Sequence, residues 1–434
     1  MVSSDVENPV SGAKLSSVVP GNATQEGKIH ELTNMDLVMK LHYLKGVYFF
    51  ESEAVQGITI HDFKNPMFPW LDVYYHTSGR IRRSETGRPF IKCNDSGVRI
   101  VEARCDKTID EWLAMKDHSL HDNTLAYDQV LGPDLGFTPL VFIQLTWFKC
   151  GGISVGLSWA HVLGDAFTAT NFINMWANIM AGHKPSPKSL NVPNSGKSEF
   201  PPSISEKPFS VKRVDPVGDH WVAANNCKME THSFRVTAKG LHQLRSSICG
   251  LDQAAKIPPF EILCAVIWKS LAKIRGESWP QTVTVCRKNS LCEENEITTN
   301  GQVVGMVEAE FSAAKAELLD LAQLIAEKMV DERSIIEENM EKDEGKEDFM
   351  VYGANLTLVN LEDANIYGLE FKGHKPIFAN YSIGGVGDEG VVLVLPWLEN
   401  GKEEGGSGRI LTVTLPENQL AELKIELKRE WAIV

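Results

Sequence analysis

The chain has 434 residues, a formal net charge of −14, and 43% hydrophobic and 23% charged residues, a composition typical of a soluble globular protein of about two or three domains. Because the acidic chain has no run of Lys and Arg, it lacks the basic face that binds nucleic acid or an anionic membrane surface, and we expect neither partner. A ligand with phosphate groups would need a small, local basic pocket.

The termini and the cysteines give no sign of secretion or of a metal site. Residues 1–17 have no basic start followed by an apolar block, and the longest apolar runs, such as 391–398, are far shorter than a bilayer span. We therefore expect no signal peptide and no membrane span. The eight cysteines show neither CxxC nor zinc-ligand spacing, which predicts reduced thiols, mostly in the core, and no bound metal.

The first third of the chain predicts a short helix and several strands. Residues 35–50 favour a helix that runs into a strand, with Thr33 as the residue that caps the helix. Residues 98–105 and 139–150 are interpreted as strands.

A strand and a helix meet around one histidine and one aspartate. Bulky and small side chains alternate over residues 153–160, which predicts a strand that ends at His161. From residue 166 onward the large apolar side chains recur at helical spacing. We therefore expect a tight connection after His161 and a helix that begins at Asp165.

The second half opens with a Pro- and Ser-rich stretch. Residues 181–213 contain six prolines and predict an extended linker. Beyond it, residues 259–275 predict a buried helix that ends at Gly276, and residues 317–348 a single helix with a solvated acidic end. From Tyr352 on, the sequence predicts strands and turns.

Two motif matches lack the context that their chemistry needs. Residues 152–156, GISVG, fit the nucleophile elbow, but Ser154 would lie inside an alternating strand and not at a strand-to-helix turn. Residues 385–390, GVGDEG, fit the dinucleotide fingerprint, but a strand follows them where a helix is required. We predict no nucleophilic serine and no nicotinamide or flavin.

The residues themselves leave two interpretations of His161 and Asp165 open. A histidine at the end of a strand is often structural, and an aspartate before a helix is a common N-cap. Alternatively, a neutral imidazole in a cleft between domains removes a proton from a hydroxyl or amine that attacks a carbonyl. In that case His161 is the base and Asp165 holds the connection in place.

The spacing His-x-x-x-Asp, together with segments along nearly the whole chain, resembles the plant BAHD acyltransferases, which transfer acyl groups from coenzyme A. The similar segments are 32–37, 74–82, 91–103 and 260–276. The resemblance implies an α/β fold of two similar chloramphenicol-acetyltransferase-like domains. Each would have a mixed β-sheet flanked by helices, and the active-site channel would lie at the interface of the two domains.

On this basis the first domain covers residues 1–190 and carries the motif, residues 191–213 form the crossover linker, and residues 214–434 form the second domain. A segment near 378–400 is expected to pack with the first domain. The resemblance also implies that His161 is the general base and Asp165 a structural support. Acyl-CoA would be the substrate or ligand, without a permanently bound cofactor, and no residue that binds acyl-CoA is assigned.

The family's second motif, Asp-Phe-Gly-Trp-Gly, is eroded in this chain. The matching residues are Glu370, Phe371, Lys372, Gly373 and His374. The loss of the tryptophan and of both glycines of the motif is expected to alter a tight turn and its packing. Residues 355–363 also lack a tryptophan common in the family, and its arginine-containing segment is not clear in 282–299.

Further segments resemble the eceriferum/glossy branch of that family: 15–20, 104–113, 127–135 and 380–396. This branch implies a role in the elongation of very-long-chain fatty acids for cuticular wax. The chain would act with a ketoacyl-CoA synthase at the cytosolic face of the endoplasmic reticulum, as a soluble or peripheral protein, or alternatively in the cytoplasm. Three hypotheses remain: an elongase accessory factor, an acyl-CoA-dependent acyltransferase, and a binding module in which His161 has no role.

Overall fold

A computed structural model of the chain describes residues 8–115, 124–127, 135–184, 200–249, 257–276, 281–290, 300–343, 345–399 and 408–433. The segment 191–199 of the predicted linker and the loop 400–407 therefore lie outside the described residues.

Eighteen strands lie in the described part of the chain. Their bounds are β1 (Val10–Val18), β2 (Ile29–Glu31), β3 (Tyr43–Phe50), β4 (Arg80–Arg83), β5 (Pro89–Lys92), β6 (Val98–Cys105), β7 (Val141–Phe148), β8 (Ile153–Ala160), β9 (Lys212–Val214), β10 (Met229–Val236), β11 (Thr282–Arg287), β12 (Val303–Glu308), β13 (Val330–Asp331), β14 (Asp348–Met350), β15 (Leu356–Asn360), β16 (Phe378–Gly384), β17 (Val391–Trp397) and β18 (Gly408–Pro416).

The helices flank these strands. Their bounds are α1 (Asn34–Val38), α2 (Ser52–Val55), α3 (Ile60–Lys64), α4 (Met67–Val73), α5 (Ile109–Leu113), α6 (Ala166–Met180), α7 (Ala238–Cys249), α8 (Pro259–Arg275), α9 (Leu318–Glu327), α10 (Arg333–Lys342) and α11 (Glu417–Trp431).

Two mixed sheets organise the described residues. The first has the order β1-β6-β7-β8-β3-β16 and the second β10-β18-β17-β15-β11-β12-β13. Strands β6 and β7 pair in parallel in the first sheet, as do β11 with β15 and β15 with β17 in the second. The predicted α/β fold with mixed sheets and flanking helices is therefore confirmed.

One strand from late in the chain joins the sheet formed by the first half. β16 pairs with β3, whereas the next strand, β17, pairs with β15 and β18 of the second sheet. The loop 385–390 makes this passage, and its glycines meet neighbouring backbone. A Cβ on Gly385 would lie 2.1 Å from the carbonyl oxygen of Leu41, and one on Gly387 would lie 2.7 Å from that of Gly353. The glycines of this loop thus allow its backbone to pack closely against neighbouring backbone.

Many of the predicted elements form as expected. Thr33 caps α1 in a capping box with Asp36, and α8 ends at Gly276, whose φ is 88°. Twelve of the 17 residues of α8 are buried.

The single helix predicted over 317–348 is wrong. Two helices, α9 and α10, flank the short strand β13 there. Hydrogen bonds and an ion pair compensate two buried carboxylates at this break. The Glu332 carboxylate accepts the N–H groups of Phe209 and Ser210, and Asp331 pairs with Arg333 at 2.8 Å. The acidic end of the segment is largely solvated as expected, with Glu338 and Glu341 exposed, although Asp348 is buried.

The prediction of strands and turns from Tyr352 on is incomplete, because the chain also forms a C-terminal helix. After β18 the chain forms α11, in which Leu420, Leu423 and Leu427 are buried at helical spacing. That spacing is visible in the sequence and should have indicated a helix.

Other expectations concern cysteines and membrane spans. Among the side chains that the structure describes, six thiols are free, with Cys93, Cys105, Cys264 and Cys286 buried and Cys150 and Cys227 exposed. No helix among the described residues combines the length and the apolar character needed to cross a bilayer.

The close contact between Gly353 and Gly387 yields a stability prediction. Gly353 has a φ of 87°, and a Cβ there would lie 2.4 Å from the Gly387 carbonyl oxygen, whereas Gly182 has a φ of 88° and open space around it. Gly182→Ala should cost about 1 kcal/mol for the left-handed backbone alone. Gly353→Ala should cost roughly 1–3 kcal/mol more because of the overlap. Chemical denaturation of both variants measures the difference, and equal losses would contradict the proposed contact.

Candidate active site

His161 lies directly after β8, in a short 3-10 turn that leads to α6. The glycine before Asp165 makes this connection possible, because Gly164 has a φ of 143° and a Cβ there would lie 2.7 Å from the Thr168 side chain. The Trp159 indole N–H donates to the Gly164 carbonyl at 2.9 Å. The strand, tight connection and helix predicted from the sequence are all present.

Asp165 is the N-cap of α6 and also reaches the second half of the chain. Its Oδ1 accepts the N–H groups of Phe167 and Thr168, both at 3.1 Å. Its Oδ2 accepts the N–H of Gln302 at 3.0 Å. The carboxylate therefore fixes the start of the helix and the segment that leads into β12, and it does not contact the imidazole in any hydrogen bond of the described residues.

A tyrosine side chain, that of Tyr352, lies against the His161 ring. The hydroxyl of Tyr352 lies 3.0 Å from Nε2 of His161, and it accepts a hydrogen bond from Nε2 of Gln302 at 2.7 Å. Since the glutamine amide donates, the phenol hydrogen is left to donate to the imidazole. Nε2 of His161 then carries the lone pair that a general base needs.

A second histidine, His42, accepts hydrogen bonds from the backbone at Tyr352. Nε2 of His42 accepts the N–H groups of Val351 and Tyr352 at 3.2 and 3.3 Å. The His42 ring centroid lies 4.8 Å from that of Tyr352 and 6.5 Å from that of His161. The three rings form one buried cluster.

The backbone of His161 is tied to both halves of the chain. The side-chain amide of Asn300 donates to the His161 carbonyl and to Oδ1 of Asp36, each at 2.8 Å. The other oxygen of Asp36 accepts the Thr33 N–H in the capping box of α1. Asn300 therefore bridges α1 and the turn that carries the histidine.

Burial sets the protonation states of this cluster. It lowers the pKa of His161 to about 4 and that of His42 to about 3, the latter also through the nearby His161 charge. It raises the pKa of Asp165 to about 6, against the hydrogen bonds from Thr168 and Gln302, and it raises the pKa of the Tyr352 hydroxyl. At neutral pH both imidazoles are uncharged and the phenol is protonated.

The site is closed in this conformation. His161 has no exposed surface, and Tyr352 is 1% exposed. Nδ1 of His161 is buried without a hydrogen-bond partner among the described residues. The His161 ring is therefore enclosed in this conformation, with the Tyr352 side chain lying against it.

A cavity of about 570 Å³ lies near the cluster, between strands of the two sheets. It is lined by Leu41 and Tyr43, by residues 382–386 and by residues of β10. Leu41 and Tyr43 flank His42 in the sequence, but His42, His161 and Tyr352 do not themselves line this cavity.

The eroded motif lies near the other end of α6. Its tight turn still closes, because the N–H of each of Phe371 and His374 donates to the carbonyl of the other at 3.0 and 2.9 Å, with Lys372 and Gly373 at φ values of 51° and 82°. The Phe371 ring centroid lies 5.6 Å from that of Trp176. Since Trp176 is eleven residues beyond Asp165, Phe371 packs about 16 Å along the helix from the cap. Glu370 and Lys372 line a separate surface cavity of about 680 Å³.

The rejected motifs have the contexts predicted for them. Ser154 is the second residue of β8, an extended strand that continues to Ala160, so it has no elbow geometry. The 385–390 loop is followed by β17 and not by a helix.

Sequence reasoning missed four residues of the cluster: His42, Asn300, Gln302 and Tyr352. Polar residues that precede the apolar strand β12 are a weak signal for Asn300 and Gln302. No local pattern indicates Tyr352, because it lies 191 positions from His161.

The chain is similar to known proteins over nearly its whole length. A model of the Transferase family matches residues 9–429. The chain is 41% identical to Protein ECERIFERUM 2 of Arabidopsis thaliana, over 97% of this chain and 98% of that protein. It is also 41% identical to Protein ECERIFERUM 26-like of the same plant, over 99% and 98%. The chain belongs to the BAHD transferase family. Its full-length similarity to these proteins places it in the eceriferum branch.

Solved structures show that the chain has the BAHD fold. Vinorine synthase superposes with a TM-score of 0.72 at 16% identity, covering 96% of this chain and 97% of that one. TRI101 of F. graminearum, in complex with ethyl coenzyme A, gives 0.69 at 13% identity, covering 93% and 98%. At such low identity the likeness concerns the fold alone.

The buried His161 yields a pH prediction for this BAHD chain. Its folded pKa of about 4 lies below the unfolded value near 6.5. Unfolded chains therefore bind the proton first as pH falls, and the folded state loses stability through this window. Between pH 7.5 and pH 5, the wild type should lose about 2 kcal/mol more stability than His161→Gln.

Denaturation curves at both pH values measure this difference. His183→Gln, at an exposed position, is the control and should follow the wild type. Parallel losses in the wild type and His161→Gln would contradict the low pKa.

Proposed function

We propose that this chain is a BAHD-like acyl-CoA protein that acts in the elongation of very-long-chain fatty acids for cuticular wax, as a partner of a ketoacyl-CoA synthase. The observation that carries this proposal is the full-length similarity to two eceriferum proteins at 41% identity. The protein would work as a soluble or peripheral protein at the cytosolic face of the endoplasmic reticulum, or alternatively in the cytoplasm.

The enclosed His161 favours an accessory role over turnover. An accessory factor needs no contact between the imidazole and an incoming acceptor, and Tyr352 leaves no room for one. Acyl-CoA is the proposed ligand, since a family neighbour was crystallised with ethyl coenzyme A. No permanently bound cofactor is needed for this role.

A second candidate is an acyl-CoA-dependent O- or N-acyltransferase. His161 would remove the proton from an alcohol or amine as it attacks the thioester carbonyl, and coenzyme A would leave when the tetrahedral intermediate collapses. The uncharged imidazole with a lone pair at Nε2 favours this candidate. Asp165 would be its structural support, because its carboxylate holds the turn and β12 together.

Co-expression with a ketoacyl-CoA synthase tests the first candidate. In a host that makes only shorter acyl chains, the pair should produce longer fatty acids than the synthase alone. Gas chromatography of total fatty acids measures the chain length. A product profile identical with and without this chain would reject the elongation role.

His161→Ala separates the two candidates. Under the accessory role, the variant should keep the chain-length effect. Under the transferase role, release of coenzyme A from acyl-CoA should fall by about 10²–10⁴-fold, the usual contribution of a general base. Thiol titration measures the release over a panel of alcohols and amines, with His183→Ala as the control at an exposed histidine. If wild type releases no coenzyme A with any acceptor, the transferase candidate fails.

A further inference from the structure

The Tyr352 hydroxyl lies where an acceptor would have to lie. A general base must approach the oxygen or nitrogen that it deprotonates to about 2.6–3.2 Å. The phenol oxygen is 3.0 Å from Nε2 of His161. An alcohol, an amine or a water molecule therefore cannot take that position while the tyrosine remains.

The tyrosine is held in this position from several sides. Gln302 donates to its hydroxyl at 2.7 Å, and His42 accepts its backbone N–H. Its carbonyl accepts the N–H of Gly387 at 2.9 Å, where the glycine loop packs against Gly353. The placement thus depends on contacts with three separate segments of the chain.

The phenol is a poor nucleophile at this site. Burial raises its pKa and lowers that of His161, so transfer of the phenol proton to the imidazole is opposed on both sides. Tyr352 therefore occupies the acceptor position without reacting there.

We propose that Tyr352 is a specificity-determining residue that excludes water and small alcohols or amines from His161. The proposal rests on the proposed function, in which the protein holds acyl-CoA. With the acceptor position filled, the thioester is kept from hydrolysis. Only a ligand whose binding displaces the tyrosine ring gains access to Nε2.

Chemical labelling of His161 tests access independently of activity. Diethyl pyrocarbonate modifies an accessible, uncharged imidazole, and peptide mass spectrometry locates the product. In wild type and in Tyr352→Phe, which keeps the ring, His161 should stay protected. In Tyr352→Ala its rate of labelling should rise by an order of magnitude or more. The exposed His183 should react equally in every protein.

Two further variants keep the test conclusive. Tyr352→Leu retains an apolar side chain, in case the alanine variant does not fold, and should also unmask His161. Tyr74→Ala removes another buried tyrosine and should leave His161 protected. Rapid labelling of His161 in wild type, or protection in both the alanine and leucine variants, would overturn the proposal.

Hydrolysis of palmitoyl-CoA then separates this proposal from the proposed function. Tyr352→Ala should release coenzyme A at least tenfold faster than wild type, within the range that a general base supplies, and Tyr352→Ala with His161→Ala should lose the gain. If His161 is unmasked but no release follows, exclusion by Tyr352 stands and the base role of His161 fails. A chain-length effect in co-expression is independent of both results.

Discussion

The carboxylate of Asp165 joins the two halves of the molecule at one point. One oxygen caps α6 through two N–H groups, and the other accepts the N–H of Gln302 at the start of β12. Burial raises the pKa of this group to about 6, and the hydrogen bonds from these donors oppose that rise. Because Gln302 also donates to Tyr352, the position of the aspartate fixes both the turn that carries His161 and the side chain that covers it.

The crossing of the chain from the first sheet to the second also positions residues of the candidate active site. β16 belongs to the first sheet and β17 to the second, so the 385–390 loop must cross between them. The contact of Gly387 with Gly353 lets that loop lie directly against the Tyr352 segment. A sequence pattern that resembles a phosphate-binding fingerprint is thus explained by backbone packing, and the packing positions a side chain in the candidate active site.

Local features of the sequence predicted much of the fold and part of the site. The alternation before His161 and the N-cap at Asp165 depend on neighbours within a few residues, and both form as expected. The helix predicted over 317–348 breaks because buried Glu332 accepts N–H groups from a segment more than a hundred residues earlier. Asn300 and Tyr352 are 139 and 191 positions from His161, and no periodicity within one element reports such pairings.

An intact His-x-x-x-Asp motif is therefore not sufficient to determine whether His161 acts on a substrate. Asp165 of the motif supplies the cap of α6, whereas Gly164 allows the turn and burial keeps the imidazole uncharged. Whether a substrate reaches Nε2 is decided by Tyr352, a residue that lies outside the motif. The turn at Phe371 and His374 makes the same point, since it closes although Lys372 and His374 stand where the family has glycine. At both motifs, hydrogen bonds and the room available for side chains determine the conformation of the backbone. Access to the base depends on the Tyr352 side chain, which lies outside both motifs, so a change at Tyr352 alters the chemistry without altering either motif.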